Sequence, residues 1–221
     1  GNTAFVADQS SGLQIIDVSN PANPSLTGSY NTPDMALGVT LSADGNTAFV
    51  ADRREGLQII DVSNPARPSL TGTINTSDDA YDVTLSADGN TAFVADYQDG
   101  LDIINVSDLA NPTLTGNFDT HGARGVALSA DGNTAFVADW NSLDIINVSN
   151  PASPSLTGTL DTSLGTAIGI TLSADGNTAL IADGNSGLQI INVSNPASPS
   201  LTATLDTSGA AYGVAISADG N

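Results

Sequence analysis

The chain has 221 residues, no Cys, no Lys, four Arg and 24 acidic residues, for a formal charge of −20. It offers no run of about 18 apolar residues to cross a bilayer as a helix and no thiol for disulfide or nucleophilic chemistry. Its charge repels nucleic acid and anionic lipid, both of which need cationic neutralisation. The acidic residues are 23 Asp and a single Glu55. They suit divalent cations, basic partners or a salty medium, and serve equally as a solubility device.

One stretch is written again and again. Leu41-Ser42-Ala43-Asp44-Gly45-Asn46-Thr47-Ala48-Phe49-Val50-Ala51-Asp52 recurs unchanged from Leu85 and from Leu128, and with only Leu180 and Ile181 exchanged from Leu172. Copies of its Gly-Asn-Thr core begin at 1, 45, 89, 132 and 176, and Gly220-Asn221 open a sixth, so the spacings are 44, 44, 43, 44 and 44 residues. Such a period is read before any local signal. The sequence starts in mid-repeat, with neither initiator Met nor signal peptide, and is expected to be an excised domain.

Within a repeat the pattern predicts four short strands and no helix. The first, Gly38 to Ser42, alternates with period two. It ends at Ala43-Asp44-Gly45-Asn46, where Asp-Gly predicts a two-residue hairpin. The second strand is Thr47 to Ala51. The third, Leu57 to Val62, is near-continuously apolar and β-branched, as a strand covered on both faces should be. Ser63-Asn64-Pro65-Ala66-Arg67-Pro68 then turns the chain, because Asn bonds its own backbone ahead and the prolines fix φ. Ser69 to Ile74 is the fourth strand, rich in Ser and Thr, as an outer edge strand should be.

Four antiparallel strands every 44 residues predict an all-β, five-bladed β-propeller forming a single domain over 1–221. Neither end carries the polar cap that a solenoid needs. Tyr212 to Ser217 repeat a first strand with nothing after it, whereas residues 1–31 supply second, third and fourth strands with nothing before them. The expectation is one closing blade shared between 1–31 and 210–221, in a monomer. Complementary ends of two chains could pair in the same way.

Gly12-Leu13-Gln14-Ile15-Ile16-Asp17-Val18-Ser19-Asn20-Pro21, with its four sister copies, resembles the LVIVD repeat of bacterial and archaeal surface propellers. The Ala-Asp-Gly-Asn-Thr-Ala-Phe-Val-Ala segment is similar to YVTN-type propellers. The match departs where Asn105, Asn147 and Asn192 replace the acidic residue and where Leu109 replaces the first Pro. The resemblance implies an extracellular or cell-envelope setting and a binding or scaffold role, and brings no catalytic residues with it.

Comparing the five copies separates constant from variable positions. First-to-second hairpins and third-to-fourth turns scarcely change. The second-to-third loops and interblade connections hold the differences, and with them three of the four Arg, three of the four Tyr and the only His, Trp and Met. Loops on a rigid scaffold carry binding, and Tyr, Trp and Arg are effective anchors. Arg53, Arg54, Tyr81, Tyr97, His121, Arg124, Trp140 and Tyr212 are therefore the candidate contacts for a carbohydrate, peptide or protein ligand.

Asp8, Asp52, Asp96, Asp139 and Asp183 close every second strand and are the only metal candidates, with Ca²⁺ the ion they would suit. Each is expected instead to cap its own loop, and no cofactor is expected. Asp17, Asp61, Asn105, Asn147 and Asn192 end the third strands, where exchange of Asp for Asn calls for an acceptor and not a charge. Catalysis needs different residues in distinct roles. The best set for a carboxylate-based hydrolase is Asp78, Asp79, Asp82 and Asp99 with His121 and Arg124, and the reading preferred is no enzyme.

Overall fold

The structure is a computed structural model that describes residues 2–162 and 166–217. Ser163 to Gly165, within the fourth interblade connection, and the sixth copy expected at Gly220 lie outside the described residues. Nineteen strands and no helix make up the described chain. They run β1 (Thr3–Ala7), β2 (Leu13–Asp17), β3 (Ser25–Tyr30); β4 (Gly38–Leu41), β5 (Thr47–Ala51), β6 (Leu57–Asp61), β7 (Ser69–Ile74); and β8 (Asp82–Leu85), β9 (Thr91–Asp96), β10 (Gly100–Asn105), β11 (Thr113–Phe118). The last two groups are β12 (Ala123–Leu128), β13 (Thr134–Asp139), β14 (Ser142–Asn147), β15 (Ser155–Asp161); and β16 (Ala167–Leu172), β17 (Thr178–Asp183), β18 (Leu188–Asn192), β19 (Ser200–Leu205). Each group forms one antiparallel sheet with its strands in chain order, four strands in four of them and three in β1-β2-β3. These are the five blades of a β-propeller, and the strand bounds read from the sequence hold to within one residue.

By internal packing the chain divides into residues 1–96 with 104–114 and residues 97–103 with 115–221. In the first, Leu13, Ile15, Val50, Ile60 and Val62 form one buried cluster, and Phe49, Leu57, Ile59, Val83, Val94 and Ile104 another. In the second, Phe136, Leu143, Ile145, Ile181 and Ile191 do the same. Third strands such as Leu57–Asp61 are buried up to their last residue, as their unbroken apolar run requires. Each such side chain stabilises the fold by roughly 1.5–3 kcal/mol.

Two local devices recur. At the end of every third strand a side-chain oxygen accepts the amide of the residue two ahead: Asp17 from Ser19 at 2.8 Å, Asp61 from Ser63 at 2.9 Å, Asn105 from Ser107 at 2.9 Å, Asn147 from Ser149 at 3.0 Å and Asn192 from Ser194 at 2.9 Å. Asp and Asn serve alike because only the acceptor is used. In the outer strands, a Cβ added to Gly28, Gly72, Gly116 or Gly158 would overlap the carbonyl oxygen of Pro65, Leu109, Pro151 or Pro196. The third-to-fourth turns of the second to fifth blades therefore seat on the outer strand of the blade before each.

The Asp-Gly hairpin is not a two-residue one. The Ser42 amide bonds the Thr47 carbonyl at 2.9 Å, leaving four loop residues. Gly45 alone of them takes positive φ, at 73°, while Asp44 accepts from Ser42 Oγ at 2.6 Å and from the Asn46 amide at 3.0 Å. The carboxylate shapes the turn from outside the tight bend. These bonds hold the carboxyls of Asp44, Asp88, Asp131 and Asp175 below their ordinary range.

Of the segment expected to close the first blade, Tyr212 to Ser217 lie in none of the described strands. The segment has no strand hydrogen bonding, Tyr212 is 70 % exposed and Ile216 36 %, and β1 pairs with β2 alone among the described strands. The fifth outer strand carries Ala203 at the position of Gly28, Gly72, Gly116 and Gly158.

Candidate functional site

The site grows out of a demand on the backbone. After each second-strand Asp the next residue must turn in the left-handed region: Gln9 at φ 44°, Arg53 at 44°, Tyr97 at 35°, Trp140 at 31° and Gly184 at 47°. Its carbonyl then accepts the amide of an alanine in the following connection, Ala36, Ala80, Ala123, Ala167 or Ala211, at 2.9–3.1 Å. Glycine meets this demand without strain, whereas another residue pays about 1–2 kcal/mol. Four of the five blades keep a side chain there regardless.

Two of those side chains meet around one arginine. Arg124, near the start of β12, holds its guanidinium carbon 5.4 Å from the Tyr97 ring centroid and 4.7 Å from that of Trp140. The two rings lie 5.9 Å apart at 42°. Trp140 and Asn141 form the tight turn between β13 and β14, across which Asp139 and Ser142 are paired. The Trp140 amide bonds the Gly122 carbonyl at 3.0 Å, which fixes the ring's origin, and the side chain stays 40 % exposed. Beside it opens a cavity of about 490 Å³ lined by Tyr97, His121, Asp139, Trp140, Asn141 and Ser142.

Asp139 is the buried member of this lining. Thr120 Oγ1 donates to its Oδ1 at 3.2 Å, Ser142 Oγ to its Oδ2 at 3.4 Å, and the Gly122 amide also donates to the carboxylate. Burial, and then the charge of Asp144, push its carboxyl up to about 6. Asp144 takes hydrogen bonds from Thr159 Oγ1 at 2.6 Å and Ser142 Oγ at 3.3 Å, and does not line the cavity. The signal for this pair was present in the repeat. The second position of the third strand reads Gln14, Gln58 and Gln189 in three blades and Asp102 and Asp144 in the other two. Gln189 Nε2 donates to Asp183 Oδ2. In the fourth blade the exchange to Asp144 removes that amide from beneath Asp139.

The second-strand Asp residues are not own-loop caps in the sense expected. Asp8 is exposed. Asp52 Oδ2 accepts the Asp34 amide at 3.1 Å, Asp96 accepts Thr76 Oγ1 at 2.7 Å and the Asp78 amide at 2.9 Å, and Asp139 accepts Thr120. These partners lie in the preceding interblade connection, so the carboxylate ties that connection down. Short Asp–x–x–x–Gly loops leave their own amides to backbone carbonyls, as in Asp52 N to Gly56 O at 2.7 Å. Burial raises the carboxyls of Asp52 and Asp183 as it does that of Asp139.

The remaining candidates are engaged locally. Arg53 and Arg54 converge on Asp79, at 3.0 and 3.6 Å, and Tyr81 donates its amide to the Ala95 carbonyl at 2.8 Å. Asp78 accepts the Asp79 amide and Asp82 the Val83 amide, both at 2.9 Å, while Asp99 accepts from Asn117 at 3.2 Å. His121 lies 3.2 Å from Asp119 with both side chains exposed, and Tyr212 projects into solvent. The structure thus brings together Tyr97, His121, Arg124 and Trp140 and adds Asp139, Asn141 and Ser142.

A family model of the LVIVD repeat matches five times, over residues 1–32, 39–76, 79–120, 122–162 and 165–207. The chain belongs to the LVIVD-repeat family. No curated protein matches the sequence. Among solved structures, this LVIVD-repeat chain is similar to a protein from Lactobacillus plantarum, with TM-score 0.81 and 16 % identity over 99 % of this chain and 72 % of that one. It is also similar to the periplasmic gluconolactonase PpgL of Pseudomonas aeruginosa, with TM-score 0.78 and 19 % identity over 96 % and 69 %. A third is the β-propeller domain of Cps50 (Swd1) from Myceliophteria thermophila, with TM-score 0.70 and 11 % identity over 92 % and 68 %. At these identities the likeness establishes the propeller fold and nothing about activity.

Proposed function

We propose that this LVIVD-repeat chain is a non-catalytic binding module whose ligand seat is the cavity beside Tyr97, Arg124 and Trp140. One observation carries the reading. Tyr97 and Trp140 hold left-handed backbone conformations, at 35° and 31°, to place two rings against Arg124, while the fifth blade fills the same position with Gly184. Unrelieved backbone strain of this kind concentrates at binding sites, and the residue types are those of interaction hot spots. An extracellular or cell-envelope setting, as the repeat family implies, is part of the proposal.

A carboxylate hydrolase has one observation in its favour, the Asp139 carboxyl raised to about 6 in front of Asp144. Glycoside hydrolysis needs two carboxyls facing the scissile bond, and Asp144 lies behind Ser142, out of the cavity. Binding is tested by probing glycan and peptide arrays with the chain and with Trp140→Gly, which keeps the backbone turn. Loss of the captured ligand in the variant, at unchanged melting temperature, is expected. Equal capture by both proteins moves the seat away from Trp140, and capture by neither makes the propeller a spacer. Release of product from any captured glycan makes it an enzyme.

A further inference from the structure

We propose that the cavity beside Trp140 takes a neutral saccharide, one ring lying against the exposed indole while its hydroxyls bond Asp139 Oδ2 and the Asn141 amide. This names the ligand class for the seat proposed above and rests on that reading.

Charge narrows the choice first. The only cationic group that belongs to the cluster, Arg124, has its guanidinium set against two aromatic faces, and the chain as a whole carries −20. Carboxylates, phosphates and sulfated glycans gain little here and are repelled from a distance. A basic peptide would be drawn by the overall charge, but the acid lining the cavity is placed to resist ionisation. It is buried, a second carboxylate stands behind Ser142, and no cation faces it at bonding distance.

The fourth blade sets its second-strand acid beside an exposed indole. In the fifth blade the Gln189 amide donates to Asp183 Oδ2, while Asp183 Oδ1 has no hydrogen-bond partner among the described residues. In the fourth, Asp144 stands in place of that glutamine, and Asp139 is held by Thr120 Oγ1 at 3.2 Å, Ser142 Oγ at 3.4 Å and the Gly122 amide. Sugar hydroxyls donate where the glutamine would have donated, and the apolar face of a pyranose fits the indole. The volume of about 490 Å³ lies within the usual range for small-ligand pockets, roughly 300–1,000 Å³.

The test is an array of neutral oligosaccharides probed with the intact chain, Trp140→Gly, Asn141→Ala and, as a control on the constant face, Asn150→Ala, with calorimetry on the best glycan. The expected result is capture of neutral glycans, weakened at least about tenfold by Trp140→Gly and about threefold to tenfold by Asn141→Ala, with Asn150→Ala unchanged. Capture of basic peptides in place of glycans, lost in Trp140→Gly, overturns the ligand class and leaves the seat standing. Glycan capture insensitive to Trp140→Gly overturns the seat. An array on which no neutral glycan binds overturns the saccharide proposal.

Discussion

Arg124 and Trp140 meet with the guanidinium carbon 4.7 Å from the indole centroid, and the contact exists because Trp140 turns left-handed at φ 31°. Were the backbone extended at that point, the ring would leave the arginine and the turn between β13 and β14 would open. A cation against an aromatic face is worth about 0.5–1 kcal/mol at an exposed site, less than the strain of about 1–2 kcal/mol that a side chain suffers there. The contact alone does not repay the conformation, so the explanation for keeping Trp140 is sought in a ligand.

Trp140→Gly should leave stability nearly unchanged. Relief of the left-handed strain is offset by the lost ring contact and by the greater freedom of glycine in the unfolded chain, about 0.4–1 kcal/mol, so the terms cancel to within about 1 kcal/mol. Trp140→Val keeps the strain, loses the contact and should cost about 1–2 kcal/mol. Thermal unfolding followed by circular dichroism compares the two. A glycine variant that melts as low as the valine variant would show that the indole is structural.

The outer-strand glycines predict an asymmetry between two substitutions of one methyl group. Gly116→Ala places a Cβ onto the Pro151 carbonyl oxygen and should cost about 1–3 kcal/mol or more, as overpacking does. Ala203→Gly, at the equivalent position of the fifth blade, should cost only about 0.5–1 kcal/mol from the flexibility of glycine in a strand. Denaturant midpoints read both. Similar losses at the two positions would mean that the fifth blade is packed like the others.

The fold was legible because the repeat carries its own controls. Five copies show that Leu57 to Val62 stays apolar and that Asp61 and Asn105 interchange, and the structure returns a buried third strand and a shared acceptor role. The variable loops also pointed to Tyr97, His121, Arg124 and Trp140. Two features escaped for physical reasons. A first-strand sequence at Tyr212 to Ser217 predicts a strand, yet these residues lie in none of the described strands, because a strand needs a partner whose ladder accepts it. The Asp139–Asp144 pair was hidden because Asp was treated as a property of the loops, whereas the informative change was Gln to Asp in the middle of a third strand.

The carboxyl of Asp139 makes stability depend on pH. Its folded value of about 6 lies above the ordinary 3.8, so the folded chain holds the proton more tightly than the unfolded chain. That contribution is fully present below about pH 4 and is lost as pH rises through about 6. Two units correspond to up to about 3 kcal/mol, and the raised carboxyls of Asp52 and Asp183 act in the same direction. Asp139→Asn, which imitates the protonated acid, should match the parent near pH 4 and exceed it by about 1–3 kcal/mol at pH 7. Melting curves between pH 4 and pH 7 decide it. Parallel profiles for the two proteins would show that Asp139 is ionised in the fold without penalty.

Deleting residues 213–221 tests what the C-terminal segment does. If these residues closed a blade against β1, their removal would take several buried side chains from the core at roughly 1.5–3 kcal/mol each, a large part of a typical total of about 5–15 kcal/mol. The exposure of the described part of the segment leads to a smaller expected loss. Gly213 to Ser217 make no strand ladder, Ile216 is 36 % exposed, and the Ala211 amide already reaches the Gly184 carbonyl at 2.9 Å, so the fifth blade keeps its last interblade tie without them. Val214, half-buried beside Leu188 in a shallow cavity, is the one apolar side chain whose loss should register. The shortened chain should therefore lose about 1 kcal/mol or less and elute as the parent does in size-exclusion chromatography. A fall of several kcal/mol, or aggregation on deletion, would show that the segment completes a blade in solution.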